Sequence, residues 1–287
     1  MILDDIDARP GSATSLLRTV VGLYLRDLGG AVATADLVAL LDAVGIRPTG
    51  ARSAISRVKA KGLLVAETVD GRPGYRLAPG ADAMLARGDR RIFAYRQQAD
   101  DDPWCLVSFS IPEGRRDARH QLRRHLGWIG CGTVADGLWI APGHLIIEVE
   151  EILDHLDLRG AATLFSSGTP RPAGSFADAA ARWWDLDRLA ALHRAFLAEH
   201  DRVRPRQDPV ADGAESARDA FSRWVRAVDD WRVIPYLDPG LPPSALPRDW
   251  PGTASVALFA DLRTRLEPLA AEHVRAVVTG VASPAGR

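Results

Sequence analysis

The chain is poor in cysteine: 287 residues carry only Cys105 and Cys131. Two thiols cannot build a disulfide framework or a four-ligand zinc site, so no cross-linked or zinc-stapled scaffold is expected. Both read instead as small buried hydrophobes in neighbouring strands. No uninterrupted apolar run of about 20 residues and no signal peptide is evident, which argues against a membrane span and leads to the expectation of a soluble, cytoplasmic protein. Net charge is also nearly absent, at −1, which excludes a protein that coats nucleic acid through bulk charge. The seven histidines (His120, His125, His144, His155, His193, His200, His273) form no His-Glu-x-x-His pair, and neither a Gly-x-Ser-x-Gly elbow nor a phosphate-binding glycine loop occurs. With 47% apolar and 25% charged residues, the chain is globular and long enough for two or three cores.

Lysine is scarcer than its partner cation, and its placement is informative. The only two lysines, Lys59 and Lys61, close a segment from Arg47 to Lys61 that holds five cations (Arg47, Arg52, Arg57, Lys59, Lys61) and no carboxylate. At about 100° per residue, Ala51, Ala54, Ile55 and Val58 share one arc, while Arg52, Ser53, Ser56, Arg57 and Lys59 occupy the other. One side is core and the other is free to meet a polyanion.

The flanking residues frame that helix. Leu16, Leu17, Val20, Val21, Tyr24, Leu25 and Leu28 recur at helical spacing before Gly29-Gly30, and Thr34 reads as the N-cap of a helix carrying Leu37, Val38, Leu40, Leu41 and Val44. Pro48-Thr49 opens the basic helix with a cap hydroxyl, and Gly62 stops it. Leu63 to Val69 reads as a strand, Asp70-Gly71-Arg72-Pro73-Gly74 as a turn with Arg72 at its tip, and Tyr75-Arg76-Leu77 as the returning strand. The order is that of a winged helix-turn-helix, so the candidate contacts to double-stranded DNA are Arg47, Thr49, Arg52, Ser53, Ser56, Arg57, Lys59, Lys61 and Arg72. Arg52 and Arg57 suit guanine edges, Ser53 and Ser56 suit bases or phosphates, and Lys59, Lys61 and Arg72 suit backbone. A winged fold also serves as a protein-docking module, which is the competing reading.

A second unit begins near Arg91. Trp104 to Ile111, Gly130 to Val134, Leu138 to Ala141 and Ala161 to Ser166 read as strands, with helices over Arg115 to Leu126 and Leu145 to Leu156 and a hairpin turn at Asp136-Gly137. The order β-α-β-β-α-β is a ferredoxin-like split unit. Beyond it, Ala177 to His200, Ala214 to Trp231 and Ala254 to about Val277 read as helices, separated by a polar stretch (Arg202 to Gly213) and a proline-rich one (Leu237 to Gly252). The expected fold is α+β in three domains: 1-90 winged helix, 91-170 ferredoxin-like, 171-287 mainly helical.

The Asp-Pro, Leu-Pro, Leu-Pro and Asp-Trp-Pro-Gly steps between Trp231 and Gly252 resemble the C-terminal signature of PaaX-type transcriptional repressors of phenylacetate degradation. Arg52-Ser53-Ala54-Ile55-Ser56-Arg57, Ser110-Ile111-Pro112-Glu113 followed by Arg115 and Arg116, Leu138-Trp139-Ile140-Ala141-Pro142 and Trp184-Asp185-Leu186 extend the resemblance over about 240 residues. The resemblance implies a homodimeric repressor released from its operator by an acyl-CoA effector such as phenylacetyl-CoA; two winged domains held together call for an inverted-repeat operator, and the absence of catalytic motifs leads to the expectation of no enzymatic activity and no cofactor. The amino-terminal stretch Met1 to Ala13 lies outside the pattern. For the effector, Arg116, Arg119 and Arg123 share one helix face and could hold phosphates, and Trp184 could line an aromatic-accepting pocket; a solvated face, or pairing with Glu148, Glu150 and Glu151, is the alternative. Trp183, Trp139, Trp231 and Trp250 read as packing residues. The middle unit also resembles the CRISPR-associated adaptation endonuclease in outline. Its first strand ends in Ser108-Phe109-Ser110-Ile111-Pro112, without the aspartate that such a metal site needs.

Overall fold

The computed structural model describes residues 9–201 and 215–280. The polar stretch from 202 to 213 and most of the amino-terminal extension lie outside the described residues. The fold is mixed α and β, with two antiparallel sheets. Two compact units are present: one comprises Phe93–Ala195 and Val233–Ser255, the other takes in the described residues up to Ile92, between Phe196 and Arg232, and from Val256 onward. Residues 171–287, one region in the sequence reading, are therefore shared between the units.

The second unit starts with α1 (Ala13–Tyr24), whose Ser12 cap accepts from the Ser15 amide. After Gly29-Gly30, both at positive φ, comes β1 (Ala31–Ala33), a strand too short for any alternation pattern to reveal. α2 (Thr34–Ala43) begins at Thr34 itself, and its cap is Ala33 without a side-chain hydrogen bond. Pairing of β1 into the sheet holds Ala33 in extended backbone, so Thr34 is already helical and is not the cap. α3 (Pro48–Ala60) likewise starts one step earlier than expected, with Arg47 as cap and Pro48 at the first position, so Thr49 supplies no cap hydroxyl. β2 (Leu64–Val69) and β3 (Arg72–Leu77) pair from Val69↔Arg72 to Leu64↔Leu77. The turn is thus only Asp70-Gly71, at φ 49° and 73°, the two left-handed residues of a type I′ hairpin, and Pro73 belongs to the strand. β3 lies between β1 and β2, and Gly74 is required there: a Cβ would stand 2.6 Å from the Val32 carbonyl oxygen. α4 (Ala81–Phe93) closes the segment.

In the first unit, β4 (Trp104–Phe109), α5 (Arg116–Trp128), β5 (Gly132–Ala135), β6 (Leu138–Pro142), α6 (Ile146–His155) and β7 (Ala162–Ser167) follow in the expected order. The sheet runs β5-β6-β4-β7, every neighbouring pair antiparallel. The expected helix Ala177 to His200 is two helices, α7 (Phe176–Trp183) and α8 (Leu186–His200). Trp184 breaks it: its backbone is extended at φ −123° and ψ 148°, its ring is buried, and its indole N–H donates to the Gly130 carbonyl at 2.8 Å. The ring packs with Trp104, Ile140, Leu189 and Leu241 in one cluster. Burying that indole with its N–H satisfied outweighs one more helical hydrogen bond.

α9 (Ala217–Trp231), the four-residue α10 (Ile234–Leu237) and α11 (Gly252–Thr279) follow among the described residues. α9 packs on α1 and α2 within the second unit. The contact is sealed by Asp229, 1% exposed, whose carboxylate accepts from Ser15 Oγ (2.6 Å), Thr19 Oγ1 (2.8 Å), the Gly11 amide (2.7 Å) and Arg232 Nε (3.2 Å).

Candidate nucleic-acid interface

α3 is amphipathic in the strict sense. Ala51, Ala54, Ile55 and Val58 are at most 2% exposed, packed toward α1, α2 and β2, while Arg52, Ser53, Ser56, Arg57 and Lys59 are all exposed. Arg47 and Thr49 before them and Lys61 after them are exposed as well. Closure at the far end is a Schellman turn, with Gly62 at φ 77° and the Leu63 amide donating to the Val58 carbonyl. Among the described residues, none of the five cations from Arg47 to Lys61 forms an ion pair. The nearest polar engagements are local: Arg57 Nη1 donates to Thr14 Oγ1 at 3.4 Å, and the Ser53 hydroxyl donates to the Thr49 carbonyl at 3.1 Å. The positive field on this face is therefore open to solvent.

Arg72 stands apart from that set. Its guanidinium makes a fork with both carboxylate oxygens of Asp36, at 3.1 and 2.9 Å, and Asp36 is largely buried. The pair ties the start of β3 to α2, while the Arg72 side chain, beside the Asp70-Gly71 turn, stays 47% exposed. Asp36 carried no signal in the sequence, because a single aspartate in a first helical turn ordinarily serves the helix dipole.

The candidate effector residues do not come together. Arg119 pairs with Glu113 at 2.9 Å, Arg123 approaches Asp136 at 3.5 Å, and Arg116 is exposed. Trp184 is 6% exposed and bonded near the carboxy-terminal end of α5, whereas Arg116 opens that helix, roughly 18 Å away along its axis. Trp183 is half-buried, edge-on to Phe176. Trp139 and Trp231 are core residues.

One constellation was not visible in the sequence. His193 Nε2 lies 2.8 Å from Asp238 Oδ2 and its Nδ1 lies 2.5 Å from Ser255 Oγ; Tyr95 donates to the same Asp238 oxygen at 3.1 Å. The order hydroxyl, imidazole, carboxylate matches a nucleophilic triad in composition, but the three are 0%, 0% and 2% exposed, and Ser255 Oγ also bonds the Gly252 carbonyl. No substrate reaches a hydroxyl so enclosed, and the chain acts as a pin that gathers the proline-rich segment around His193. Burial, followed by the Asp238 charge, pushes the Tyr95 phenol well above its ordinary value. Among the described residues, no group of three His, Cys, Asp or Glu side chains could hold a metal ion, and no helix is long and apolar enough to cross a membrane.

Comparison with known proteins extends these observations over the whole chain. Residues 12–81 match the family described as PaaX-like protein, residues 97–177 the PaaX protein central Cas2-like domain, and residues 184–276 the PaaX-like protein C-terminal domain. The transcriptional repressor PaaX of Escherichia coli (strain K12) is 26% identical over 273 residues, covering 94% of this chain and 85% of that protein. Among solved structures, the uncharacterized protein Rv0674 from Mycobacterium tuberculosis shares the fold, with a TM-score of 0.56 at 22% identity over 90% of this chain and 97% of that one. Three consecutive matches in the same order, spanning nearly all of the described residues, place this chain in the PaaX family of regulators.

Proposed function

We propose that this protein is a transcriptional repressor that occupies an operator through the outer face of α3. The observation that carries the reading is the opposition within that one helix: a buried apolar side and an exposed, carboxylate-free side bearing Arg52, Arg57 and Lys59. α1, α2 and α3 followed by the β2–β3 hairpin have the order of a winged helix-turn-helix, in which the third helix enters the major groove. Arg52 and Arg57 then read guanine edges, Ser53 and Ser56 meet bases or phosphates, and Arg47, Thr49, Lys59 and Lys61 hold backbone. The β5-β6-β4-β7 order supports reading the middle unit as ferredoxin-like.

The reading of regulation rests on the likeness to the family. Two copies present α3 to successive major grooves of an inverted repeat, and an acyl-CoA thioester such as phenylacetyl-CoA releases them by favouring a form with wrongly spaced helices. Catalysis is disfavoured because β4 ends without the carboxylate a metal-dependent nuclease needs and because the hydroxyl–imidazole–carboxylate chain is sealed. Gel shifts with the DNA upstream of the protein's own gene, at two salt concentrations, test the reading. Saturable, salt-sensitive binding supports it, and equal affinity for unrelated DNA of the same length rejects it. Calorimetry across a panel of acyl-CoA esters tests the release step separately; no heat from any ester, with operator binding intact, would reject it.

A further inference from the structure

α9 comes late in the sequence, yet two of its arginines reach the end of α2, within the unit that holds both helices. Arg218 pairs with Asp42 at 3.2 Å, and Arg226 Nη2 donates to the Val44 carbonyl. α2 closes without that second bond: the Gly45 and Ile46 amides already donate to the Asp42 and Leu41 carbonyls in a Schellman turn.

Charge is what the two arginines change. The carboxy-terminal end of α2 carries the negative pole of the helix dipole and, at Asp42, an exposed carboxylate, just ahead of the cationic segment that opens at Arg47. A phosphate approaching the start of α3 would meet both. Arg218 neutralises the carboxylate, and Arg226 covers the pole. The remaining charges of α9 are engaged elsewhere: Arg223 with Glu215, Asp219 with Ser216 at the helix cap, Asp230 with His200, and Asp229 in the buried cluster with Arg232. Arg226 is therefore the one cation of α9 without an ion pair among the described residues, and it is exposed. Val44 holds one of its five N–H donors, which fixes the guanidinium and leaves the others for an outside acceptor.

Gly45 sets the position of that guanidinium. A Cβ at Gly45 would stand 3.3 Å from Arg226 Nη2, so the group rests against the turn between α2 and α3. Gly45, Arg47 and Thr49 are exposed on that turn and at the start of α3. Two peptide steps, at most about 7 Å, separate Gly45 from Arg47, and the phosphates of one DNA strand recur about every 3.4 Å of duplex axis. A strand held at Arg47 thus brings a neighbouring phosphate to Arg226.

We infer that Arg226 is a further contact to the DNA backbone, delivered by α9 to the turn that leads into α3. The inference rests on the operator-binding reading above and adds to its surface a group from the carboxy-terminal region. The competing account is a purely structural one, in which Arg226 only caps α2.

Fluorescence anisotropy on the full chain separates the two accounts, at four salt concentrations, with a duplex from upstream of the protein's own gene and a random duplex of the same length. Arg226→Gln keeps a donor for the Val44 carbonyl and removes the charge. It is expected to make the slope of log K against log salt shallower by about 0.9 per protomer on both duplexes, so that a fourfold rise in salt weakens the variant about 3.5-fold less than the wild type, with Tm unchanged. Arg226→Lys keeps the charge and is expected to retain the wild-type slope. A wild-type slope in Arg226→Gln, with wild-type binding intact, overturns the contact and leaves the operator reading standing. An equally shallow slope in Arg226→Lys also overturns it, because the effect then follows the shape of the α2 end and not the charge. Wild-type protein that binds neither duplex overturns the operator reading and this contact together.

Discussion

Replacing Lys59 and Lys61 by alanine isolates the electrostatic part of α3. Both side chains are exposed and form no ion pair among the described residues, so their removal is expected to leave stability within about 0.5 kcal/mol of wild type. Five cations lie between Arg47 and Lys61. With Arg47, Lys59 and Lys61 at phosphates and Arg52 and Arg57 at bases, counterion release by this segment contributes a slope of log K against log salt of about −2.7 per protomer, and removing the two lysines brings it to about −0.9. Over a fourfold rise in salt, this contribution lowers wild-type affinity about 40-fold and the variant's about 3.5-fold, with both exponents doubled if two copies bind together. Fluorescence anisotropy titrations at four salt concentrations on one operator duplex read these slopes directly. Equal slopes for the two proteins would refute the assignment of this face to the backbone. Arg57→Ala makes the complementary measurement: an operator loss of about 1–3 kcal/mol with little change on random DNA is the mark of base reading.

Asp229→Ala is expected to cost about 3–5 kcal/mol in urea unfolding, because it removes the buried carboxylate that Arg232 Nε and three donors from the amino-terminal segment share; a loss below about 1 kcal/mol would show the network to be dispensable. Gly132→Ala drives a Cβ to 2.5 Å from the Trp184 ring, so a lowered Tm and altered tryptophan fluorescence are expected together. Burial, with the Glu150 charge behind it, pushes the Cys105 thiol up to about 11, and native protein at pH 8 is expected to show no reaction of this thiol with a disulfide reagent until denaturant is added. Burial, with Arg218 second, lowers the pKa of His273, so the unfolded chain takes up its proton first. That contribution is present above about pH 6.5 and is lost as pH falls below it, and His273→Gln is expected to flatten the acid limb of the stability profile.

Much of the architecture was legible because it obeys local periodicity. The apolar arc of α3, the six elements from β4 to β7 and the helices at Ala217–Trp231 and Gly252–Thr279 all follow the 3.6 or 2.0 repeat of one buried face. The misplaced features are those where a distant group competes with local preference. Thr34 and Thr49 have the chemistry of helix caps, but β1 pairing and Pro48 set the starts one residue away. Trp184 sits in a stretch whose spacing is helical throughout, and a carbonyl 54 residues upstream bends it out.

Which side of α3 faces water was therefore written into the order of its own residues, since thirteen consecutive positions suffice to separate apolar from cationic on a helix. The fate of each polar group was not. Arg52 and Arg72 are the same side chain in neighbouring elements, one left open and one forked onto Asp36, and His193 and Asp229 look like ordinary surface residues until folding closes over them. Charge and burial depend on distances between residues far apart in the chain, and those distances exist only once the helices have packed.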